Sequence, residues 1–256
     1  MQYFLTGARD PSNNNVDFPA STAVTLQPGQ QYSYSGSRSF GTSGTYTAWP
    51  AYFDGQNWIE LAPTHTSFTV QGTAPLFYDS FNRTTGLGAN WSVSDGSYTT
   101  DGNFAVAGTM TSSGSGNWAQ LTTALPNSNY SVAADIIVPS GSFDSGLVAR
   151  SNDSVNFSRT LYSAQIATDG NINLYRRNDW NWTLLTSTAG GIVANTSYNL
   201  KLIVTGSNPV HLEVWLNGAQ KIVFNDSSTS QITTGAPGME NYDTGVKYDN
   251  FTVSQQ

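Results

Sequence analysis

Polar and apolar residues alternate with a period of two through most of the chain. No long stretch places apolar residues at i, i+3, i+4 and i+7, so the pattern predicts strands rather than helices. In the N-terminal part, Val24-Thr25-Leu26 runs into the turn signal Pro28-Gly29 and then Tyr32-Ser33-Tyr34. Thr45-Tyr46-Thr47-Ala48-Trp49 and Trp58-Ile59-Glu60-Leu61 flank the hairpin signal Asp54-Gly55, and Phe68 to Val70 closes this section. Further on, strands are predicted over 130–138, 146–150, 161–167, 172–176, 182–185, 198–204, 211–216, 221–224 and 246–253. Asp169-Gly170, Asn217-Gly218 and Gly206-Ser207-Asn208-Pro209 mark turns between them.

The segment Gln71-Gly72-Thr73-Ala74-Pro75 has the composition of a linker and no periodicity. Two all-β domains are therefore expected: residues 1–72 as an immunoglobulin-like β-sandwich, and residues 76–256 as a two-sheet jelly roll. In Tyr198-Asn199-Leu200-Lys201-Leu202 and His211-Leu212-Glu213-Val214-Trp215-Leu216 one strand face is apolar and the other polar, so each sheet should present a polar outer face.

Composition narrows the function classes. The 256 residues are 38% hydrophobic, 12% aromatic and only 11% charged, which is a folding composition rather than a disordered one. Seventeen acids against ten bases give a net charge of −7 without a basic patch, which argues against nucleic acid as partner. Apolar runs such as Leu202-Ile203-Val204 are far below membrane-spanning length, so no membrane association is expected. The absence of cysteine excludes thiolate nucleophiles and Cys-ligated metals. Low charge, no Cys and abundant Ser, Thr, Asn and Gly lean toward a secreted, extracellular bacterial protein, expected as a monomer.

An ordered series of motifs carries a family resemblance. "FYDSFNR", "WSVSDGSY", "YSVAADIIVPSGSFDSGLVARSND", "YSAQIATDGNINLYRRN", "WTLLTS", "YNLKLIVTGS", "HLEVWLNG", "DSSTSQITTGAPGMEN" and "KYDNFTV" span nearly all of 77–253. Together they resemble the concanavalin A-like, laminin G-like jelly rolls of secreted carbohydrate-active enzymes and their binding modules. The first segment, through "GARDPSNNNVDFP" and "LQPGQQYSYSGSRSFGTSGTYTAWPAYFDGQNWIEL", is similar to the immunoglobulin-like spacers that accompany glycoside hydrolases. The resemblance implies an extracellular, saccharide-directed ancillary region whose partners are a polysaccharide or oligosaccharide and the catalytic domain of a parent enzyme.

Catalysis demands more than the sequence offers. Glycoside hydrolysis needs two carboxylates about 5 to 10 Å apart, yet the three glutamates, Glu60, Glu213 and Glu240, are scattered and no strand carries a carboxylate pair. Jelly-roll alginate lyases carry Gln-Ile-His or Gln-Val-His on one strand; here the similar stretch is Gln165-Ile166-Ala167 and lacks the basic His. His65 and His211 are the only histidines, and no nucleophile elbow precedes a helix. The expectation is a non-enzyme, with a catalytic jelly roll and a structural or adhesive module as alternatives.

Sugar docking needs aromatic faces for the C–H faces of a pyranose and planar polar groups for its hydroxyls. Trp180, in the Asn178-Asp179-Trp180-Asn181 turn, is either a ligand platform or a loop anchor, and Trp118 after Gly114-Ser115-Gly116-Asn117 is a second candidate. Arg150, Arg159, Tyr162 and Arg176 lie on or beside strands expected to line one face, and with Asp135 they would form a polar groove; the alternative is that these arginines pair with Asp144, Asp153 or Asp169. Trp49, Tyr52 and Trp58 are expected to pack within the first domain or between domains. Calcium-binding jelly rolls often join their first and last strands through the ion. That likeness implies a possible structural Ca²⁺ on Asp79 of "YDSF" and Asp249 of "YDNF".

Overall fold

Alternation resolves into antiparallel ladders in both parts of the chain, and among the described residues no helix forms. The structure is a computed structural model that describes residues 2–62, 65–70, 74–109, 116–142, 144–153 and 159–256, the Asp153 side chain excepted. Gln71, Gly72 and Thr73 of the expected linker, and Gly114 and Ser115 ahead of Trp118, lie outside the described residues. Backbone contacts divide the chain into two units, Met1–Thr73 and Ala74–Gln256. No helix of the described residues is long and apolar enough to cross a membrane.

In the first unit, β1 (Tyr3–Arg9), β2 (Gly44–Phe53), β3 (Trp58–Glu60) and β4 (Thr66–Val70) form one antiparallel sheet in which β2 pairs with all three others. The Asp54-Gly55 hairpin is closed by the Asp54 carboxylate, whose Oδ1 accepts the Gln56 and Asn57 N–H groups at 2.7 and 2.8 Å. The segment after β1 runs back along it through the Val16, Phe18 and Ser21 N–H groups. Tyr32-Ser33-Tyr34 joins no ladder and Val24 makes only a single bridge, so a four-stranded sheet stands where a two-sheet sandwich was expected. Beyond the bridge of Val24 to Gln2 these two segments find no ladder partner, and period-two spacing alone does not supply one.

The second unit is a two-sheet sandwich. An eight-stranded sheet runs β17 (Ala219–Asp226), β16 (Val210–Leu216), β15 (Ser197–Thr205), β10 (Tyr130–Ile137), β19 (Lys247–Gln255), β8 (Ala105–Ala107) and β7 (Tyr98–Thr100), with β5 (Phe77–Asp79) also paired to β19. A seven-stranded sheet runs β14 (Asn181–Ala189), β13 (Asn171–Asn178), β12 (Arg159–Ile166), β11 (Ser145–Asp153), β18 (Ala236–Asn241), β9 (Asn117–Leu121) and β6 (Trp91–Asp95). Val132, Ala134 and Ile136 of β10 and Leu200, Leu202 and Val204 of β15 are buried against Tyr162, Ala164 and Ile166 of β12 and Ile172 and Leu174 of β13, all in one apolar cluster. At the Asn217-Gly218 turn both residues have φ near +50° to +76°, the conformation a two-residue hairpin needs.

The nine strands predicted in this region all form. The strand β18 was not among them, because Ala236-Pro237-Gly238 reads as a turn. Pro237 is accommodated at a register shift between Val148 and Ser151 of β11, where no ladder N–H is needed. Gly238 is required, since a Cβ there would collide with the Ala119 carbonyl oxygen.

Candidate functional site

The outer face of the seven-stranded sheet is assembled from cross-strand rows. One row runs Trp118, Glu240, Gly146, Gln165, Asn173, Ser187; the next runs Gly238, Val148, Ser163, Tyr175, Leu184. A third sets Leu161, Arg177 and Trp182 side by side. Glu240 stands at the centre, fully buried. Its Oε1 accepts hydrogen bonds from the Ser163 hydroxyl and from Gln165 Nε2, the latter at 2.7 Å, while Oε2 is buried without a hydrogen-bond partner. Burial pushes the Glu240 carboxyl up to about 7, against the opposing hydrogen bonds of Ser163 and Gln165, with Asp144 raising it further and Arg177 lowering it.

Aromatic and cationic side chains cover this face. Trp118 and Trp182 approach with ring centroids 6.0 Å apart, and Tyr175 meets Trp182 edge-on at 5.6 Å. The Arg177 guanidinium sits 5.2 Å from the Trp118 ring, 5.2 Å from Trp182 and 5.5 Å from Trp180, and Arg159 lies 4.8 Å over Trp118. Beside this cover the face opens into two depressions that share Asp144 and Tyr175. One, of about 170 Å³, is lined by Asp144, Gln165, Tyr175, Trp182 and Tyr242. The other, of about 450 Å³, extends from Asp144 and Tyr175 to Ser142, Thr168, Asp169 and Asn173. Burial raises the Asp144 carboxyl, helped by the nearby Asp243 and Asp169. Burial likewise raises the Tyr175 phenol, and it raises that of Tyr242 to about 12.

The residues expected to form one groove separate into several places. Trp180 is 63% exposed on the β13–β14 turn, with Asp179 before it at φ +56°. Trp118 lies in β9 and is only 3% exposed, under Arg159 and Arg177, so it is a floor and not a free platform. Arg159 is also buried, donating to Ser94 Oγ at 3.1 Å. Arg150 is fully buried at φ +52°, and its guanidinium is spent on the carbonyls of Ser128, Gly206 and Ile232. The expected sugar contact is thus corrected to a clamp on three loops. Tyr162 and Arg176 point into the sandwich, where the Tyr162 hydroxyl donates to Asp226 Oδ2 at 2.7 Å and Arg176 Nη1 donates to both Asp226 oxygens at 2.9 and 2.8 Å. Asp135 belongs to the other sheet, held by Asn199 and Asn250 at 2.8 and 2.9 Å. Of the expected set, Trp180, Trp118 and Arg159 gather around one feature, the Arg177 guanidinium and the rings it touches. Asp144, Gln165, Tyr175, Trp182 and Tyr242 line the candidate site instead, with Arg177 against Trp182 and the buried Glu240 behind Gln165, and none of these is among the residues expected for it.

Of the two carboxylates of the calcium expectation, Asp79 is already engaged by protein donors. Both oxygens of Asp79 are occupied: Oδ1 accepts from Phe81 N–H and Arg83 Nη1 at 2.9 and 2.6 Å, and Oδ2 from Arg83 Nη2 and Trp91 Nε1 at 2.8 and 2.9 Å. Asp249 stands opposite Asp135 in register, and burial raises its carboxyl, with Asp135 and Asp79 adding to the effect. A guanidinium already neutralises Asp79, so that carboxylate does not offer a Ca²⁺ the free oxygens it needs. No cluster of three metal-ligating side chains occurs among the described residues.

Comparison with known proteins places the architecture. The carbohydrate-binding module CBM66 from Bacillus subtilis is 15% identical, with a TM-score of 0.53 over 68% of this chain and 100% of that one. A protein of unknown function with a galectin-like fold from Bacillus subtilis is 13% identical, with a TM-score of 0.54 over 72% of this chain and 97% of that one. At such identities the likeness is one of fold. No curated protein matches the sequence. The family description that matches, over residues 76–254, is that of the 3-keto-alpha-glucoside-1,2-lyase-like domain. Through the whole of its two-sheet sandwich, therefore, the chain belongs to the family of 3-keto-alpha-glucoside-1,2-lyase-like domains.

Proposed function

We propose that the Ala74–Gln256 unit holds a saccharide against the outer face of its seven-stranded sheet, in the cleft around Asp144 and Tyr175. The chain then acts as the non-catalytic polysaccharide- or oligosaccharide-binding part of a secreted carbohydrate-active enzyme. One observation carries the reading: Tyr175, Trp182 and Tyr242 converge with Asp144 and Gln165 on a single depression. The rings offer apolar edges to a sugar's C–H faces, and the carboxylate and amide accept and donate to its hydroxyls. Exposed Trp180 extends the aromatic surface beyond the Arg177 guanidinium. Family membership and the fold shared with CBM66 support a sugar-directed role. The test is affinity electrophoresis of the full chain in gels containing neutral or acidic polysaccharides, with Trp182→Ala as the disabled form. Retardation lost in that variant supports the reading, and equal mobility of both proteins in every gel contradicts it.

A second reading rests on Glu240, which is buried behind Gln165 of the cleft, its Oε1 accepting from Gln165 Nε2 at 2.7 Å and its Oε2 left without a hydrogen-bond partner. In a 3-keto-glucoside the C3 carbonyl acidifies the C2 hydrogen. A base that removes that proton lets the C1–O bond break while a C1–C2 double bond forms, and the leaving alkoxide takes up a proton, so no oxidant is needed. Incubating the chain with a 3-keto-α-glucoside and following the C2 proton by NMR tests this. Turnover abolished by Glu240→Gln favours catalysis, and an unchanged substrate favours binding alone.

A further inference from the structure

The first unit carries a depression of its own, built by the alternation of its sheet. On one face of β2, Tyr46 stacks on Phe68 of β4 with centroids 5.5 Å apart, and Phe40 covers Tyr46 at 4.7 Å, so that face has its apolar partner within the unit. The opposite face is set by Leu5, Gly7 and Arg9 of β1, Trp49 and Ala51 of β2, and Trp58 and Glu60 of β3, with Gly7 opposite Trp49 and Leu5, Ala51 and Glu60 in one cross-strand row. At its centre are small residues. Gly7 has no Cβ, and one placed there would stand 2.8 Å from the Trp49 ring, so glycine lets that indole lie flat across β1. The result is a depression of about 280 Å³ bordered by Trp49, Trp58, Arg9, Asn15, Asp17 and Glu60.

The chemistry of this border selects a ligand class. Trp49 is nearly buried, with the Arg9 guanidinium over its ring at 4.9 Å and the His65 ring stacked on it at 4.3 Å. Trp58 packs on Phe53 at 5.5 Å and leaves 48% of its surface exposed. The charged groups already have partners: Arg9 lies 3.8 Å from Asp17, Asp17 Oδ1 accepts the Ala8 N–H at 2.8 Å, and Glu60 lies 3.2 Å from His65 Nε2. An ionic ligand would have to compete with these existing partners and with the water that reaches the half-exposed pairs. A neutral, hydroxylated ring can instead pack its C–H face on Trp58 and hydrogen-bond to the outer lone pairs and N–H groups of the paired side chains.

We propose that this face of the first unit is a second, independent saccharide site that takes a neutral sugar ring on Trp58. It uses no residue of the cleft around Asp144, so the two readings stand or fall separately.

The experiment uses the full chain and its Trp58→Ala and Trp182→Ala variants, run in native gels cast with soluble β-glucan, arabinoxylan, xyloglucan, inulin or α-glucan. Thermal unfolding of Trp58→Ala and partial retention of binding by Trp58→Phe exclude a folding effect, since Trp58 is half exposed. The expected result is that Trp58→Ala binds about tenfold more weakly than wild type in at least one gel, with Trp182→Ala still retarded there or reduced only by its own separate loss. If Trp58→Ala migrates with wild type in every gel, whether or not wild type is retarded, the second site is overturned. Loss confined to Trp182→Ala overturns it likewise while leaving the first cleft intact.

Discussion

Trp118 and Trp182 stand five places apart in the order of the seven-stranded sheet, yet their ring centroids are 6.0 Å apart. Across a flat sheet the same five steps span about 24 Å, more than two indole side chains bridge. The face therefore curls over itself, and the Arg177 guanidinium, 5.2 Å from each ring, lies where the two sides meet. Curling buries Val148, Leu161 and Glu240 on the outward face of the sandwich and leaves the accessible cleft displaced toward Asp144 and Tyr175.

Replacing Trp182 by Ala removes the lining ring of that cleft and the cover over Trp118. Saccharide affinity is expected to fall by at least about tenfold, a loss of about 1.4 kcal/mol. Titration calorimetry of both proteins with whichever oligosaccharide retains the wild type measures it.

Glu240 makes stability depend on pH in the acid-to-neutral range. Its folded pKa, about 7, lies above the ordinary 4.5, so the folded state holds its proton more tightly than the unfolded chain does. The contribution is complete below pH 4.5 and declines as pH rises through 7, by about 3 kcal/mol in total. Urea unfolding across this range should show the decline in wild type and lack it in Glu240→Gln.

The buried Asp226 works in the opposite sense. Burial pulls its carboxyl up, but Arg176, Ser228 and Tyr162 more than offset this and hold it below the usual aspartate value. Its contribution is present above the ordinary pKa and is lost as pH falls through the lower, folded one. Arg176→Met leaves the buried carboxylate with Tyr162 and Ser228 but without its cation, and should cost about 3 to 5 kcal/mol at neutral pH, read as a lowered denaturant midpoint.

Arg150→Ala deletes hydrogen bonds to Ser128, Gly206 and Ile232 together and should destabilise the second unit by at least about 3 kcal/mol, a fall of roughly 10 °C in melting temperature. Because Arg150 is absent from the cleft, the residual folded protein should keep its saccharide affinity.

With Asp79 saturated by Arg83 and Trp91, calcium should not stabilise the fold. Melting temperatures in chelator and in millimolar Ca²⁺ are expected to coincide; a calcium-dependent rise would contradict the assignment of that carboxylate.

The fold was legible because strand alternation and turn residues are local signals, and the ladders of the second unit follow them closely. Side-chain parity was legible too, but only where it was applied. Ile172, Leu174 and Arg176 share one face of β13, so Arg176 follows the core residues inward and it is Arg177 that reaches the outer face. Tyr162 belongs by the same rule with Ala164 and Ile166. Glu240 was hidden for a different reason. Its strand begins Ala236-Pro237-Gly238, and only the register shift opposite β11 makes a strand there tolerable. Gln165 could be singled out on its strand, but its partner lies 75 residues away, and such pairings are set by sheet order and not by spacing.

The most direct test of the account is titration of the intact chain, followed by NMR of its tryptophan indole N–H groups, with an oligosaccharide that retards it. The account predicts saturable shifts at Trp182 and Trp180 that vanish in Asp144→Ala and leave the indole of Trp215, on the other sheet, unmoved. Shifts confined to Trp215, or binding indifferent to both Asp144→Ala and Trp182→Ala, would contradict it.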